Sequence, residues 1–98
     1  MERHAFYARL NAGQEDAYLE IHRNMPRDLV TAYRAAGINN LRIFRHEELL
    51  FLYLECERLE SAMEALDQNP MELEWQKMTS PMLEGGDFRK LIEIFEMP

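Results

Sequence analysis

The segment Leu49-Leu50-Phe51-Leu52-Tyr53-Leu54 constrains the fold more strongly than any other part of the chain. Successive side chains of a β-strand point to opposite faces of a sheet, so this strand presents apolar side chains on both faces. Such a strand needs cover on each side, as it has inside a layered domain. We therefore expect it to lie in a sheet whose two faces are both buried.

Strands and helices follow one another along the chain in a simple order. Period-two alternation predicts four strands, at residues 4–10, 41–45, 49–55 and 89–96. Helical spacing predicts one long helix from about Gln14 to Gly37, kinked or briefly broken at Met25-Pro26. A second helical region follows Cys56 and is punctuated at Asn69-Pro70. The order β-α-β-β-α-β predicts an α+β fold of the ferredoxin-like type, in which helices cover one face of the sheet.

The other face of this sheet would carry the second apolar side of the strand 49–55. Extended apolar surfaces on small proteins mark interaction sites. A homodimer is the simplest cover for this face, so we expect two copies of the chain to pair.

Length, charge and cysteine content restrict the class of protein. The 98 residues suffice for one domain, 1–98, with one hydrophobic core. A net charge of −7 with singly scattered basic residues disfavours nucleic acid and anionic membranes as partners, since phosphate binding needs clustered Lys and Arg. No segment has the roughly 18 apolar residues of a membrane span, and no signal peptide is recognisable. The single cysteine, Cys56, is expected to be a small buried hydrophobe in a cytoplasmic protein.

Motifs for common cofactors and for metal ions do not occur in the sequence. The three histidines and one cysteine show no metal-ligand spacing, and His4 and His46 are expected to be solvated surface residues. Gly85-Gly86 precedes a strand and lacks the pattern of a phosphate-binding loop. Ser61 and Ser80 lack the motif of a catalytic serine. We therefore predict no metal site and no cofactor.

Tyr18 and His22 form a candidate pair for proton-transfer chemistry. They are four residues apart, so a helix places them side by side on one face. Histidine takes and gives protons near neutral pH, and a tyrosine hydroxyl binds the hydroxyl of a ligand. The alternative is the rim of an amphipathic helix with no chemical role.

Trp75 and Met78 are candidates for the apolar wall of a sugar site. Trp75 is the only tryptophan. An aromatic ring packs against the C–H face of a sugar, while its indole N–H reaches a hydroxyl. Met78 follows one turn later and would line the same pocket. Filling of the core is the alternative role for Trp75.

Several motifs occur in a characteristic order along the whole chain. They are the opening strand ending in Asn11, the Tyr18-x-x-x-His22 helix, Pro26, Gly37 followed by Asn40 and Ile43, the apolar strand from Phe51 to Glu55, the segment Trp75-x-x-Met78-Thr79-x-x-Met82, and the ending formed by Glu93, Phe95 and Pro98. In their order and spacing, the chain resembles the L-rhamnose mutarotase family.

The resemblance implies a dimeric α+β barrel that interconverts the α and β anomers of L-rhamnose without a cofactor. It implies that His22 is the catalytic acid/base and that Tyr18 and Trp75 contact the sugar. Leu41 stands at the position of a family tyrosine that binds sugar, and Glu74 stands at the first of two tandem tryptophans. With these two differences, the implied substrate is L-rhamnose or a related monosaccharide such as L-fucose.

Two other functions stay open at the level of the sequence. A non-catalytic sugar-binding or regulatory dimer on the same scaffold is consistent with the missing aromatic groups at Leu41 and Glu74. Monooxygenase chemistry on heme or quinones occurs on similar dimeric barrels, which is an analogy of fold alone. Accelerated exchange between sugar anomers distinguishes a mutarotase from both.

Overall fold

A computed structural model describes all residues 1–98 and contains four strands and four helices. In chain order the elements are β1 (Glu2–Arg9), α1 (Glu15–Arg23), α2 (Arg27–Ala35), β2 (Ile38–His46), β3 (Leu49–Cys56), α3 (Leu59–Asp67), α4 (Pro70–Thr79) and β4 (Arg89–Lys90). Two 3₁₀ turns, Ser80–Met82 and Glu84–Gly86, connect α4 to β4. The predicted order of strands and helical regions is confirmed, and each helical region consists of two helices.

The strands form one antiparallel sheet in the order β2-β3-β1-β4, which is the ferredoxin-like order. The apolar strand β3 lies between β2 and β1. Phe6 of β1 pairs with Leu52 of β3, which pairs with Ile43 of β2. These three side chains lie on the face that the helices cover, which is the face that carries the core.

The opposite face of the sheet is apolar and uncovered in the protomer. Tyr7, Phe51 and Phe44 form a row across β1, β3 and β2. Phe51 is 39% exposed and Phe44 is 57% exposed. As predicted, β3 presents apolar side chains to both faces, and the helices cover only one of them.

Proline and glycine divide the first helical region from its neighbours. Pro26 precedes α2 with an extended ψ of 136°, which separates α1 from α2 at the predicted break. Gly37 follows α2 with a φ of +97°, a conformation that glycine adopts without a steric penalty. The helices are consequently short, and none is both long and apolar enough to cross a membrane.

The last strand is shorter than predicted. The apolar alternation predicts a strand over 89–96, but β4 contains only Arg89 and Lys90, and residues 91–98 are exposed without regular secondary structure. The N–H of Leu91 donates to the carbonyl oxygen of Ala5 at 2.8 Å, after which the chain leaves the edge of β1. Alternation shows which side chains could share a buried face, but it does not supply the neighbouring strand that would bind them.

The buried apolar side chains form two clusters rather than one continuous core. The first contains Ala8, Leu10, Tyr18, Leu50 and Leu83, and the second contains Ile38, Leu54, Cys56, Ala62 and Leu66. The predicted burial of Cys56 is confirmed. A cavity of about 520 Å³ lies between the clusters, because its wall includes Tyr18 and Leu83 from the first and Leu54 and Leu66 from the second. The helices therefore leave open a space above the middle of the sheet.

Candidate functional site

Helix α1 places Tyr18 and His22 in the wall of the cavity. Glu15 and Asp16 occupy its first turn, where acidic side chains interact favourably with the helix dipole. Tyr18 is the buried residue of α1, and His22 is half-buried one turn later. Their ring centroids are 4.4 Å apart. The predicted pairing of these two side chains on one helical face is confirmed.

A hydrogen bond determines the tautomer of His22. Its Nδ1 lies 2.8 Å from the backbone carbonyl oxygen of Tyr18. A carbonyl oxygen only accepts, so the neutral imidazole carries its proton on Nδ1. Nε2 then carries the lone pair and makes no hydrogen bond within the chain. This nitrogen is free to accept a proton from a ligand in the cavity.

Trp75 reaches the same site from α4. Its ring centroid is 5.2 Å from that of His22, and the two rings meet edge to face at 82°. Contrary to the prediction, Met78 does not line the cavity and is 45% exposed. Thr79, four residues after Trp75, is buried and takes that position. The buried residues of α4 are Glu72, Trp75 and Thr79, so its inner face continues from residue 75 to residue 79, and Met78 lies outside it.

The two positions that differ from the family pattern lie in different environments. Leu41 is half-buried and lines the cavity from β2, where it supplies apolar surface only. Glu74 is exposed on α4, and its Oε1 lies 3.2 Å from Nζ of Lys77. Of these two changes, only Leu41 therefore alters the chemistry of the cavity wall.

The cavity wall also contains a buried polar cluster that the sequence pattern does not predict. The hydroxyl of Tyr33 donates to Oε1 of Glu72 at 2.6 Å, and Nε2 of Gln76 donates to Oε2 of Glu72 at 3.0 Å. Glu72 is only 8% exposed. Tyr33 and Glu72 are far apart in the chain, so no local spacing connects them. One feature of the sequence does indicate that Glu72 belongs to the site. It stands three residues before Trp75, so a helix places both side chains on one face.

Burial keeps both tyrosine hydroxyls of the site protonated. It raises the pKa of Tyr18 to about 12. Burial also raises the pKa of Tyr33, and the neighbouring Glu72 carboxylate raises it further. At neutral pH both phenols therefore carry their protons; Tyr33 donates its own to Glu72, and no hydrogen bond within the chain uses that of Tyr18.

Outside the cavity, Glu2, His4 and Cys56 bring possible metal-ligand atoms within 4.8 Å of one another. The spacing in the sequence does not reveal this cluster, because Glu2 of β1 and Cys56 of β3 are distant in the chain and meet only as paired residues of neighbouring strands. The same carboxylate oxygen of Glu2 lies 2.9 Å from Nε2 of His4 and accepts from the N–H of Leu59 at 2.9 Å. Burial raises the pKa of the Cys56 thiol, which favours the neutral form over the thiolate that binds metals. These contacts describe a structural cluster at the start of α3.

Comparisons with known proteins identify relatives over the whole length of the chain. The family model described as L-rhamnose mutarotase matches residues 3–97. An L-rhamnose mutarotase from Burkholderia ambifaria (strain MC40-6) is 32% identical over 104 aligned positions, which cover 100% of both chains. The chain belongs to the L-rhamnose mutarotase family. Members of the L-rhamnose mutarotase family are isomerases that interconvert sugar anomers, so the predicted class of enzyme is confirmed.

Solved structures extend the comparison to three dimensions. The crystal structure of an L-rhamnose mutarotase from Formosa agariphila has a TM-score of 0.83 and 25% identity, with 100% of both chains covered. A NIPSNAP domain protein from Burkholderia xenovorans has a TM-score of 0.67 at 16% identity, covering 100% of this chain and 99% of its own. The second likeness shows the ferredoxin-like fold alone, whereas the L-rhamnose mutarotase family is assigned from sequence and structure together.

Proposed function

We propose that the chain is a mutarotase of L-rhamnose or a related sugar such as L-fucose, with His22 as the proton-transfer group. The observation that carries this proposal is the imidazole in the cavity wall. Its Nδ1 binds the Tyr18 carbonyl oxygen and thereby leaves the Nε2 lone pair for the ligand. A cavity of about 520 Å³ lies within the range of small-molecule sites, about 300–1,000 Å³.

The reaction requires one proton to leave the sugar and one to arrive. The anomeric hydroxyl at C1 loses its proton, the bond between C1 and the ring oxygen breaks, and the ring oxygen gains a proton. Rotation about C1–C2 and reclosure give the other anomer. Because both oxygens are bonded to C1, Nε2 of His22 serves both transfers. Positioned acid–base catalysis contributes about 10²–10⁴-fold, which suffices for a reaction that already proceeds in water.

Three other residues of the cavity would bind and orient the sugar. Tyr18 stays protonated at neutral pH, so its hydroxyl would donate to a sugar oxygen. The buried Trp75 offers an aromatic surface to the C–H face of the ring. Leu41 offers apolar surface that suits the C6 methyl group of a 6-deoxy sugar such as L-rhamnose or L-fucose.

Anomer exchange measured by saturation-transfer NMR tests this function. The chain is added to L-rhamnose, L-fucose, D-glucose and D-galactose in turn. The proposal predicts an exchange rate that increases with protein concentration for at least one of the two 6-deoxy sugars. Exchange at the spontaneous rate for every sugar would contradict it, and binding without acceleration would support the non-catalytic sugar-binding alternative.

We also propose that two copies pair through the uncovered face of the sheet. The row of Tyr7, Phe51 and Phe44 offers aromatic surface there, and the exposed segment 91–98 adds apolar side chains beside β1. The cavity lies on the helix side of the sheet, so pairing through the other face leaves it accessible. We expect this homodimer to work in the cytoplasm, as its one free cysteine suggests.

A further inference from the structure

We propose that Glu72, held by Tyr33 and Gln76, is a sugar-binding residue that accepts hydrogen bonds from ring hydroxyls of the pyranose away from its anomeric carbon. This inference rests on the proposed sugar mutarotase function and deepens it. In this proposal the same cavity contains a group that binds a second part of the sugar. The ligand class is a neutral pyranose with free ring hydroxyls.

Helix α4 places Glu72 beside the aromatic surface of the site. Glu72, Trp75 and Thr79 are its buried residues, and their spacing of three and four puts them on one face. Glu72 therefore lies about one helical turn, roughly 5 Å, from Trp75 along the helix axis. Because the ring of Trp75 contacts His22, a pyranose over this ring would have one edge at His22 and another near Glu72.

Two helices hold the Glu72 carboxylate in one orientation. Tyr33 of α2 donates to Oε1 at 2.6 Å, and Gln76 of α4 donates to Oε2 at 3.0 Å. Both donors are neutral, and none of the ion pairs in the chain includes Glu72. A buried carboxylate satisfied only by neutral donors has no countercharge, so additional donors would stabilise it further.

The free acceptor capacity of Glu72 defines what it would bind. A carboxylate has about four lone-pair positions, and Tyr33 and Gln76 use one on each oxygen. The remaining two positions accept and cannot donate. Sugar hydroxyls are donors with the spacing of neighbouring ring carbons, whereas an anionic ligand would be repelled. The cavity wall is mainly apolar and includes the buried Leu54 and Leu66, which suits a sugar ring better than a hydrated cation.

Sugar affinity can be measured without reference to catalysis. Trp75 is the only tryptophan and lies in the cavity wall, so a fluorescence titration with L-rhamnose or L-fucose reports Kd directly. The variant Glu72→Gln keeps the shape of the side chain but removes the charge and one acceptor oxygen. We expect its Kd and KM to rise about 10- to 100-fold, as for a lost hydrogen bond to a charged group, with kcat changed less than threefold. The matched control Glu74→Gln makes the same chemical change on the exposed side of α4 and should leave Kd within twofold.

Deoxy sugars separate direct binding from a structural role. Removal of the hydroxyl that Glu72 binds should weaken binding to the native chain about tenfold and to Glu72→Gln less than twofold. Native Kd values that no 2-, 3- or 4-deoxy analogue raises would overturn the inference even if the variant did not fold. Unchanged Kd in a folded Glu72→Gln variant, or a fall in kcat at unchanged KM, would also overturn it. If sugar binding depends on Glu72 but no anomer exchange is seen, the mutarotase function is contradicted and the binding role of Glu72 stays intact. A native chain that binds no sugar would overturn both.

Discussion

At the scale of single residues, Tyr18 contributes to the site twice. Its backbone carbonyl oxygen accepts from Nδ1 of His22 and thereby sets the tautomer of the imidazole. Its side-chain hydroxyl lines the cavity in which Nε2 of His22 is free. Because the carbonyl belongs to the backbone of α1, we expect a change of the Tyr18 side chain to weaken ligand binding but to leave the helical geometry that orients His22.

The buried phenol of Tyr18 makes stability depend on alkaline pH. Its pKa is about 12 when folded, against an ordinary value of 10 when unfolded. Below pH 10 both states keep the proton, whereas between pH 10 and 12 only the unfolded state releases it. The free energy of unfolding should therefore fall across this window, by about 2–3 kcal/mol for this residue.

Urea denaturation at pH values from 8 to 12 measures this fall, with Tyr18→Phe as the comparison. The variant should lose less stability between pH 10 and 12 than the native chain, since it has one buried phenol fewer. Tyr33 is present in both proteins and its pKa is also raised, so both should still lose some stability at alkaline pH. Equal losses of stability in the two proteins would contradict the assignment of a raised pKa to Tyr18.

Local spacing predicts part of the site and misses the rest. Tyr18 and His22 are four residues apart in one helix, so the helix alone places their side chains next to each other, whatever the tertiary structure. The choice between Met78 and Thr79 as neighbour of Trp75 depends on how α4 is rotated against the sheet, which no local pattern contains. The contact of Tyr33 with Glu72 joins two helices, so it depends on their packing.

At the scale of elements, α4 contributes Glu72, Gln76 and Thr79 to the polar part of the cavity wall, and its first turn is fixed by Asn69. The Asn69 side chain accepts from the N–H groups of Met71 and Glu72 at 2.9 and 3.3 Å. Pro70 at the first helical position needs no hydrogen-bond partner for its nitrogen. This cap therefore fixes the turn from which Glu72 enters the cavity.

Removal of the cap should destabilise the protein measurably. Asn69→Ala is expected to lower the free energy of unfolding by about 1 kcal/mol, since two N–H groups lose their acceptor. Asn69→Asp should retain most of the stability. The neighbouring Gln68→Ala serves as control, because Gln68 is exposed and lies outside the cap. Equal effects of Asn69→Ala and Gln68→Ala in urea denaturation would exclude the capping role.

The order of elements was predictable from periodicity, but the end of the chain was not. Pro26 and Gly37 mark helix boundaries through their own backbone geometry, so the sequence indicates them directly. The alternation in 91–98 instead needs a neighbouring surface to become a strand, and the last hydrogen bond of this segment to β1 joins the N–H of Leu91 to the carbonyl oxygen of Ala5. A second copy of the chain is the partner that we propose for this apolar segment.

At the scale of the whole molecule, the protomer has little buried core. Its two clusters are separated by a cavity, and exposed apolar side chains lie on the open sheet face and in the final segment. Phe44→Glu places a charge in the aromatic row of the proposed interface and should shift the homodimer towards monomer. Sedimentation velocity over a range of protein concentrations measures the shift. Leu73→Glu, an equal change at an exposed position on α4, should leave the dimer intact, and a native chain that sediments as a monomer would contradict the proposed pairing.

The fold alone does not determine the chemistry of this molecule. The same ferredoxin-like arrangement occurs in a NIPSNAP domain protein and in the tetracenomycin F2 cyclase from Streptomyces glaucescens, which has a TM-score of 0.61 at 14% identity. In the present chain, the chemistry depends on the side chains that line the cavity between its two clusters. His22, Trp75 and Glu72 reach this cavity from two helices, and we propose that they act there as base, apolar surface and fixed acceptor.

The most direct test of this account is the rate of anomer exchange in a folded His22→Gln variant. Saturation-transfer NMR on the preferred sugar should show a loss of about 10²–10⁴-fold in the protein-dependent rate, since glutamine cannot take up and return a proton. His46→Gln, the same change at an exposed histidine at the end of β2, should keep the native rate. Native exchange in a His22→Gln protein with unchanged circular dichroism and sugar affinity would contradict the role of His22.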